Sequence, residues 1–169
     1  MPKHPKQNTE ARLPSQKWLD RLSIKGALAV MLDNQAEAVS ALKAALPQIE
    51  KAIEAGHHSL SASDTGRLIY AGAGTSARIA VQDGSELLPT FNWPSSRVAY
   101  LIAGGPEALL RPVEGAEDSP AAAKQAVAEL NITKGDILIG LAASGTTPYS
   151  IATLEAGKAA GALTIGIAN

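Results

Sequence analysis

Four short apolar runs recur between residue 67 and the end of the chain: Arg67–Ala71, Val98–Ile102, Asp136–Leu141 and Ala162–Ile167. Each is built on a continuous apolar stretch rather than on alternation, the pattern of a parallel strand covered on both faces. Parallel neighbours cannot be joined by a tight turn and need a crossover, usually a helix. Helical stretches stand in the expected places, at Thr75–Leu88, Pro106–Arg111, Pro120–Leu130 and Thr147–Ala160. The order strand, helix, strand predicts an α/β fold of three layers, αβα, around a doubly wound parallel sheet. Ser119 followed by Pro120 marks one helix start, with an N-cap hydroxyl and a proline at the first helical position.

Ahead of the sheet region the apolar residues Leu28, Leu32, Val39, Leu42, Leu46, Ile49 and Ile53 mark one helical stripe between Ile24 and about Leu60. Pro47 lacks a backbone donor, so one helix is expected to end near Leu46 and another to begin there. Gly56 is the expected stop, leaving His57 and His58 as solvated helix-end residues. Residues 1 to about 22 are polar and proline-bearing and read as an arm with little local structure. The domain organisation expected is a lead-in over 1–60 and a ligand-binding domain over 61–169. The chain closes on "ALTIGIAN", as a fourth strand finishes with no helix to cover it, so the domain is expected to be truncated at its C-terminus.

Composition narrows the function classes. Hydrophobic residues make up 46% of the 169 residues, enough for a packed core. The net charge of −1 leaves no basic excess for neutralising nucleic-acid phosphates. There is no cysteine, which excludes disulfides and thiolate zinc sites, and His4, His57 and His58 are too few and scattered for a metal cage. No metal site is expected. The N-terminus has no apolar core of a secretory signal and no apolar run of about 18 residues exists to span a membrane, so a cytoplasmic protein is expected.

Two stretches carry the chemistry. "LIYAGAGTSA" and "LIGLAASGTTPY" are both strand, small-residue turn with hydroxyls, then helix. The first contains G-x-G-x-x-A, a form of the dinucleotide fingerprint. A dinucleotide site also needs an acid ending the second strand, and that strand ends "YLIAGGP" with none. A phosphorylated small molecule fits better. A helix N-terminus offers free N–H groups and a positive dipole end to an anion, and hydroxyls add neutral donors. The candidate binding residues are Gly74, Thr75 and Ser76 in the first turn and Ser144, Gly145, Thr146 and Thr147 in the second. The competing reading is that both turns are helix caps without a ligand. Gly72, Gly74 and Gly145 are expected to serve positive φ or close approach.

With "GRLIYAGAGTSARIAVQDGSELLPTF", "LIAGGPEALLRPVEGAED" and "ASGTTPY" in this order, the chain resembles the N-acetylmuramic acid 6-phosphate etherase family of the SIS (sugar isomerase) fold, from about Thr9 to the end. The resemblance implies a carbon–oxygen lyase of amino sugar metabolism and cell-wall recycling that requires no metal or redox cofactor. Such an enzyme cleaves the D-lactyl ether of N-acetylmuramic acid 6-phosphate by elimination and then hydration. The family's proton-donor glutamate falls on Glu86 and its second active-site glutamate, the base, on Glu117, with Glu114 and Asp118 close by in sequence. A homodimer is implied too, because SIS sites commonly borrow groups from a partner subunit. The chain departs from the family's usual "GAGTSGR" at Ala77, from "DASECPP" in "DGSELLP", and from "ASGRTPY" at Thr146, where a planar cation is lost. These departures leave the phosphosugar open. They also keep two alternatives in view, a non-catalytic sugar-phosphate regulator like the glucokinase regulatory protein and an SIS-type isomerase.

Overall fold

A computed structural model describes residues 18–169. These fall into two compact units, one running to Glu54 and the other spanning Ala55–Asn169. The expected N-terminal arm and His4 lie almost wholly outside the described residues; its end, Leu19–Arg21, is a single 3-10 turn.

The first unit is the greater part of one long helix, α1, Ile24–Ser61. The break expected at Pro47 is absent: the helix runs through it. Proline's fixed φ suits a helix, and what it removes is one donor, to the carbonyl of Lys43 four residues back. Lys43 is exposed, so water can take that carbonyl. The stop expected at Gly56 is also absent. Gly56 is buried in α1, where an added Cβ would lie 3.4 Å from the Ile137 side chain. The glycine is there for helix-to-sheet packing, and His57 and His58 sit exposed within the helix's last turns.

The second unit holds a four-stranded parallel sheet: β1, Leu68–Gly72; β2, Val98–Ile102; β3, Ile137–Leu141; and β4, Leu163–Ile167. The strand order is β2-β1-β3-β4. The helices between them are α2, Gly74–Ser85; α3, Leu87–Phe91; α4, Pro120–Glu129; and α5, Pro148–Ala159. Right-handed crossovers put α2 on one face and α4 with α5 on the other, giving the αβα layers. Successive residues of β3 serve the two faces: Ile137 meets Gly56 of α1, and Leu138 meets Gly157 of α5. The core between sheet and helices includes Ile69, Ala71, Leu101, Val127 and Leu138.

Two expectations need adjusting. The expected helix Thr75–Leu88 is two helices, because the chain turns at Glu86 between α2 and α3. The expected helix Pro106–Arg111 is only a 3-10 turn, Pro106–Leu109. It is preceded by Gly104 and Gly105 at φ 81° and 74°, a backbone that no α-helix continues from. Ser119 caps α4 as expected, its Oγ accepting from the amide of Ala122 at 3.2 Å. Among the described residues no helix is long and apolar enough to cross a membrane, and no group of three His, Asp or Glu could hold a metal ion.

Candidate active site

The chain leaves β1 in one direction, through α2 to β2, and leaves β3 in the other, through α5 to β4. The gap between the carboxyl ends of β1 and β3 is therefore the point where strand order reverses, where open α/β sheets bind ligands. Gly72 and Leu141, the last residues of the two strands, are register partners, so the two turns start side by side, about 4.8 Å apart.

The first turn is tight. A Cβ on Gly72 would stand 3.1 Å from the amide nitrogen of Ala77 and 3.2 Å from the carbonyl oxygen of Leu141. Both are backbone atoms that cannot swing aside. A residue without a side chain lets the start of α2 fold back over the ends of β1 and β3 without displacing either backbone. Gly74 follows at φ 54° with nothing within 4 Å of its missing Cβ. The N-cap of α2 is Ala73, which has no side chain able to cap. The first N–H groups of α2 are thus left for another acceptor, and the Thr75 and Ser76 hydroxyls make no hydrogen bond to the described residues. The second turn is braced from within: Gly145, at φ 66°, donates to the Ala142 carbonyl, and Ser144 Oγ accepts from the Thr146 amide at 3.1 Å and lies 3.0 Å from its hydroxyl. Thr147 is the N-cap of α5 without a side-chain cap bond. Two uncapped 12-residue helices, α2 and α5, thus begin at one crevice.

Beside the first turn lies a cavity of about 270 Å³, walled by Gly74, Thr75 and Arg78 on one side and by Val113, Glu114 and Glu117 on the other. Glu117 stands on a 3-10 turn, Ala116–Asp118, and is exposed. The segment carrying it is anchored at several points. Ala103 donates to the Gly72 carbonyl at 3.0 Å. Arg78 donates from Nε to the Leu109 carbonyl at 2.9 Å and from Nη2 to the Ala108 carbonyl at 3.2 Å. Ala103 and Tyr149 share a small buried cluster against which Ala73 and Ala116 pack. Tyr149 opens α5, so this cluster ties the first turn, the Glu117 segment and the second turn to one another. Two larger depressions lie elsewhere, about 630 Å³ between α4 and α5 and about 540 Å³ along β2. Neither touches the turns, so we assign the site to the smaller one on chemical grounds.

The structure thus brings Gly74, Thr75 and Glu117 to one cavity. Ser76, Ser144, Gly145, Thr146 and Thr147 are not among its walls. Glu86 is not there. It caps the far end of α2, about 18 Å along the helix from Gly74 at 1.5 Å per residue. Arg78 was not singled out from the sequence. Its signal was present: it follows Thr75 by three positions and Gly74 by four, and residues so spaced share a helix face.

Comparison with known proteins agrees with this architecture. The family described as the glucokinase regulatory protein N-terminal SIS domain matches residues 48–158. N-acetylmuramic acid 6-phosphate etherase of Deinococcus radiodurans is 48% identical over 161 residues, 95% of this chain and 52% of that protein. The etherase of Streptomyces avermitilis is 44% identical over 159 residues, 94% of this chain and 50% of that protein. The chain therefore spans about half the length of the curated relatives it matches. Among solved structures, phosphoheptose isomerase of Neisseria gonorrhoeae superposes with a TM-score of 0.60 at 19% identity, covering 86% of this chain and 75% of that one. At that identity the likeness concerns the fold alone.

Proposed function

The chain belongs to the SIS-domain family typified by the N-terminal domain of the glucokinase regulatory protein, and from that premise we propose that it is part of an N-acetylmuramic acid 6-phosphate etherase. The observation that carries this reading is the cavity joining Gly74 and Thr75 to Glu117, in a chain 48% identical to a protein of that name. In the reaction, the open-chain sugar presents an aldehyde that acidifies the neighbouring C2 proton. The Glu117 carboxylate removes it, the C3–O bond breaks, and a carboxylic acid protonates the departing ether oxygen to release D-lactate. Water then adds at C3 of the unsaturated aldehyde to give N-acetylglucosamine 6-phosphate. The hydroxyls of 75–76 and 144–147, with the free amides of 74–76 at the start of α2, hold the phosphosugar, with residues 61–169 as its binding domain and 1–60 as the lead-in. No metal or redox step is needed, and the cytoplasm is the compartment that suits a phosphorylated substrate.

Glu86, the acid in this scheme, is too far from Glu117's cavity to act on the same ether within one chain. We therefore assign it to the site of a second copy in a homodimer. Mixing Glu86→Gln and Glu117→Gln proteins tests both proposals, with released D-lactate as the readout. Each variant alone should be nearly inactive. Random reassortment makes half the dimers mixed, each with one intact site of two, so about a quarter of wild-type activity should return. No recovery would remove the shared site. No lactate from the complete, folded wild type would remove the etherase itself.

One observation favours a second reading. The matching family takes its description from a regulatory protein, and Glu86, the acid of the scheme above, does not line the cavity that holds Glu117. A sugar-phosphate sensor would bind its ligand by calorimetry and release no lactate.

A further inference from the structure

The cavity beside the first turn contains a cation that the scheme above does not use. Neither turn carries one: residues 72–77 and 142–147 contain no Lys or Arg. Their donors are hydroxyls and amides, which suit a phosphate held at helix ends. The cavity wall has Glu114 and Glu117 on one side and Arg78 on the other, and among the described residues Arg78 is the only basic one lining it. Arg78 spends Nε and Nη2 on the carbonyls of Leu109 and Ala108. Its Nη1 makes no hydrogen bond to the described residues. The two carbonyl bonds hold the guanidinium plane, so any further acceptor meets a cation already oriented, as bidentate and planar recognition favours.

We propose that Arg78 binds the carboxylate of the lactyl arm and so determines that the substrate carries one. This rests on the etherase reading. The lactyl ether leaves from C3, next to the C2 proton that Glu117 removes, so the lactyl carboxylate necessarily comes close to the Glu117 and Glu114 carboxylates. Two like charges at that range repel, and a cation in the same wall is what makes the approach favourable. A sugar phosphate without the lactyl arm has no group for Arg78 and depends on the turns alone. Arg78 then acts as a specificity residue, separate from the residues that hold the phosphate.

The test compares two ligands on the complete protein with wild type, Arg78→Gln and Arg78→Lys. The lactyl-bearing ligand is N-acetylmuramic acid 6-phosphate, read as KM for lactate release and as Kd by calorimetry. The lactyl-free ligand is N-acetylglucosamine 6-phosphate, read as an inhibition constant and as Kd. Loss of a charge-assisted hydrogen bond should weaken the lactyl-bearing ligand about ten- to hundredfold in Arg78→Gln. The lactyl-free ligand should change less than about twofold, and Arg78→Lys, which keeps the charge, should fall between. Equal weakening of both ligands would mean that Arg78 merely braces the Glu117 segment, and the proposal would fall. An unchanged KM would overturn it as well. If wild type binds both sugars but releases no lactate, the etherase reading fails on its own, and the two Kd values still decide the role of Arg78.

Discussion

Arg67 and Asp136 lock the amino ends of β1 and β3 together. The guanidinium donates to both carboxylate oxygens, from Nε at 3.0 Å and from Nη2 at 2.7 Å, and the Arg67 amide adds a third bond at 2.9 Å. Asp136 is 1% exposed. These are the two strands whose opposite ends carry the ligand turns, so the ion pair fixes the register on which the crevice depends. Replacing Asp136 leaves the amides of Arg67 and Thr133 without their acceptor, while the Arg67 guanidinium, 22% exposed, keeps the carbonyls of Leu130 and Asn131. Asp136→Ala should therefore cost about 1–3 kcal/mol, read from the denaturation midpoint. A loss under 1 kcal/mol would show that the pair is dispensable.

The same pair sets an acid limit. Burial on its own would raise the Asp136 carboxyl, but the Arg67 side chain, with the amides of Thr133 and Arg67, more than offsets it and holds the carboxyl below its ordinary value. A depressed folded pKa gives stability that is full above the unfolded value, about 3.9, and is lost as pH falls towards the folded one. Stability should thus drop below about pH 4, and the drop should be shallower in Asp136→Asn. Identical acid profiles for the two proteins would count against this assignment.

Gly72→Ala tests the crevice. The new methyl would press on the Ala77 amide and the Leu141 carbonyl, both backbone, so β1 and β3 or the start of α2 must shift. Overpacking of this kind costs about 1–3 kcal/mol. Sugar-phosphate affinity should fall further than stability at a matched temperature explains, because the shift lies in the turn itself. Unchanged calorimetric binding in a folded variant would disconnect the turn from the ligand.

The sheet was legible in the sequence because buried parallel strands leave continuous apolar runs that no helix mimics at that length. Its ends were read within a residue: Ala162–Ile167 became Leu163–Ile167. What was not legible depended on partners far along the chain. Gly56 reads as a stop until Ile137 is seen against it. Pro47 reads as a breaker because local rules do not say that an exposed carbonyl can turn to water. In the site, the turns were legible from their residue types alone. The distance from Glu86 to the cavity was implicit in a helix of three turns, but only the position of Glu117 made it decisive. Arg78 was passed over because its partners, the carbonyls of Ala108 and Leu109, are backbone atoms without a sequence signature.

Pro47 offers a gain rather than a loss. Replacing it with alanine restores the donor to the Lys43 carbonyl within α1 and removes a residue about 3 kcal/mol less favourable than alanine in a helix interior. Pro47→Ala should raise helicity by circular dichroism and increase stability by about 1–3 kcal/mol. No gain would mean that α1 already bends at Pro47 in a way that other contacts have come to require.

Alkaline pH should act through the tyrosines. The chain has three, and all are held above their ordinary value. Burial raises Tyr70, aided by its hydrogen bond to Asp83 at 2.7 Å; burial and the Asp83 charge raise Tyr100; burial raises Tyr149. A phenol whose folded pKa lies above its unfolded one gives stability that is full below the unfolded value, about 10, and is lost as pH rises through the folded one. At pH 10 the folded protein should therefore show less phenolate than the same chain unfolded in denaturant. Part of the ionisation should coincide with loss of circular dichroism, since unfolding releases hydroxyls that the fold holds above their ordinary value. Tyr70→Phe removes the Asp83 bond at a cost of about 1 kcal/mol but also removes one group that favours alkaline unfolding, so its alkaline loss of stability should be shallower than that of wild type. A hydroxyl titrating near pH 10 in protein still folded by circular dichroism would show that at least one of these rings is open to water.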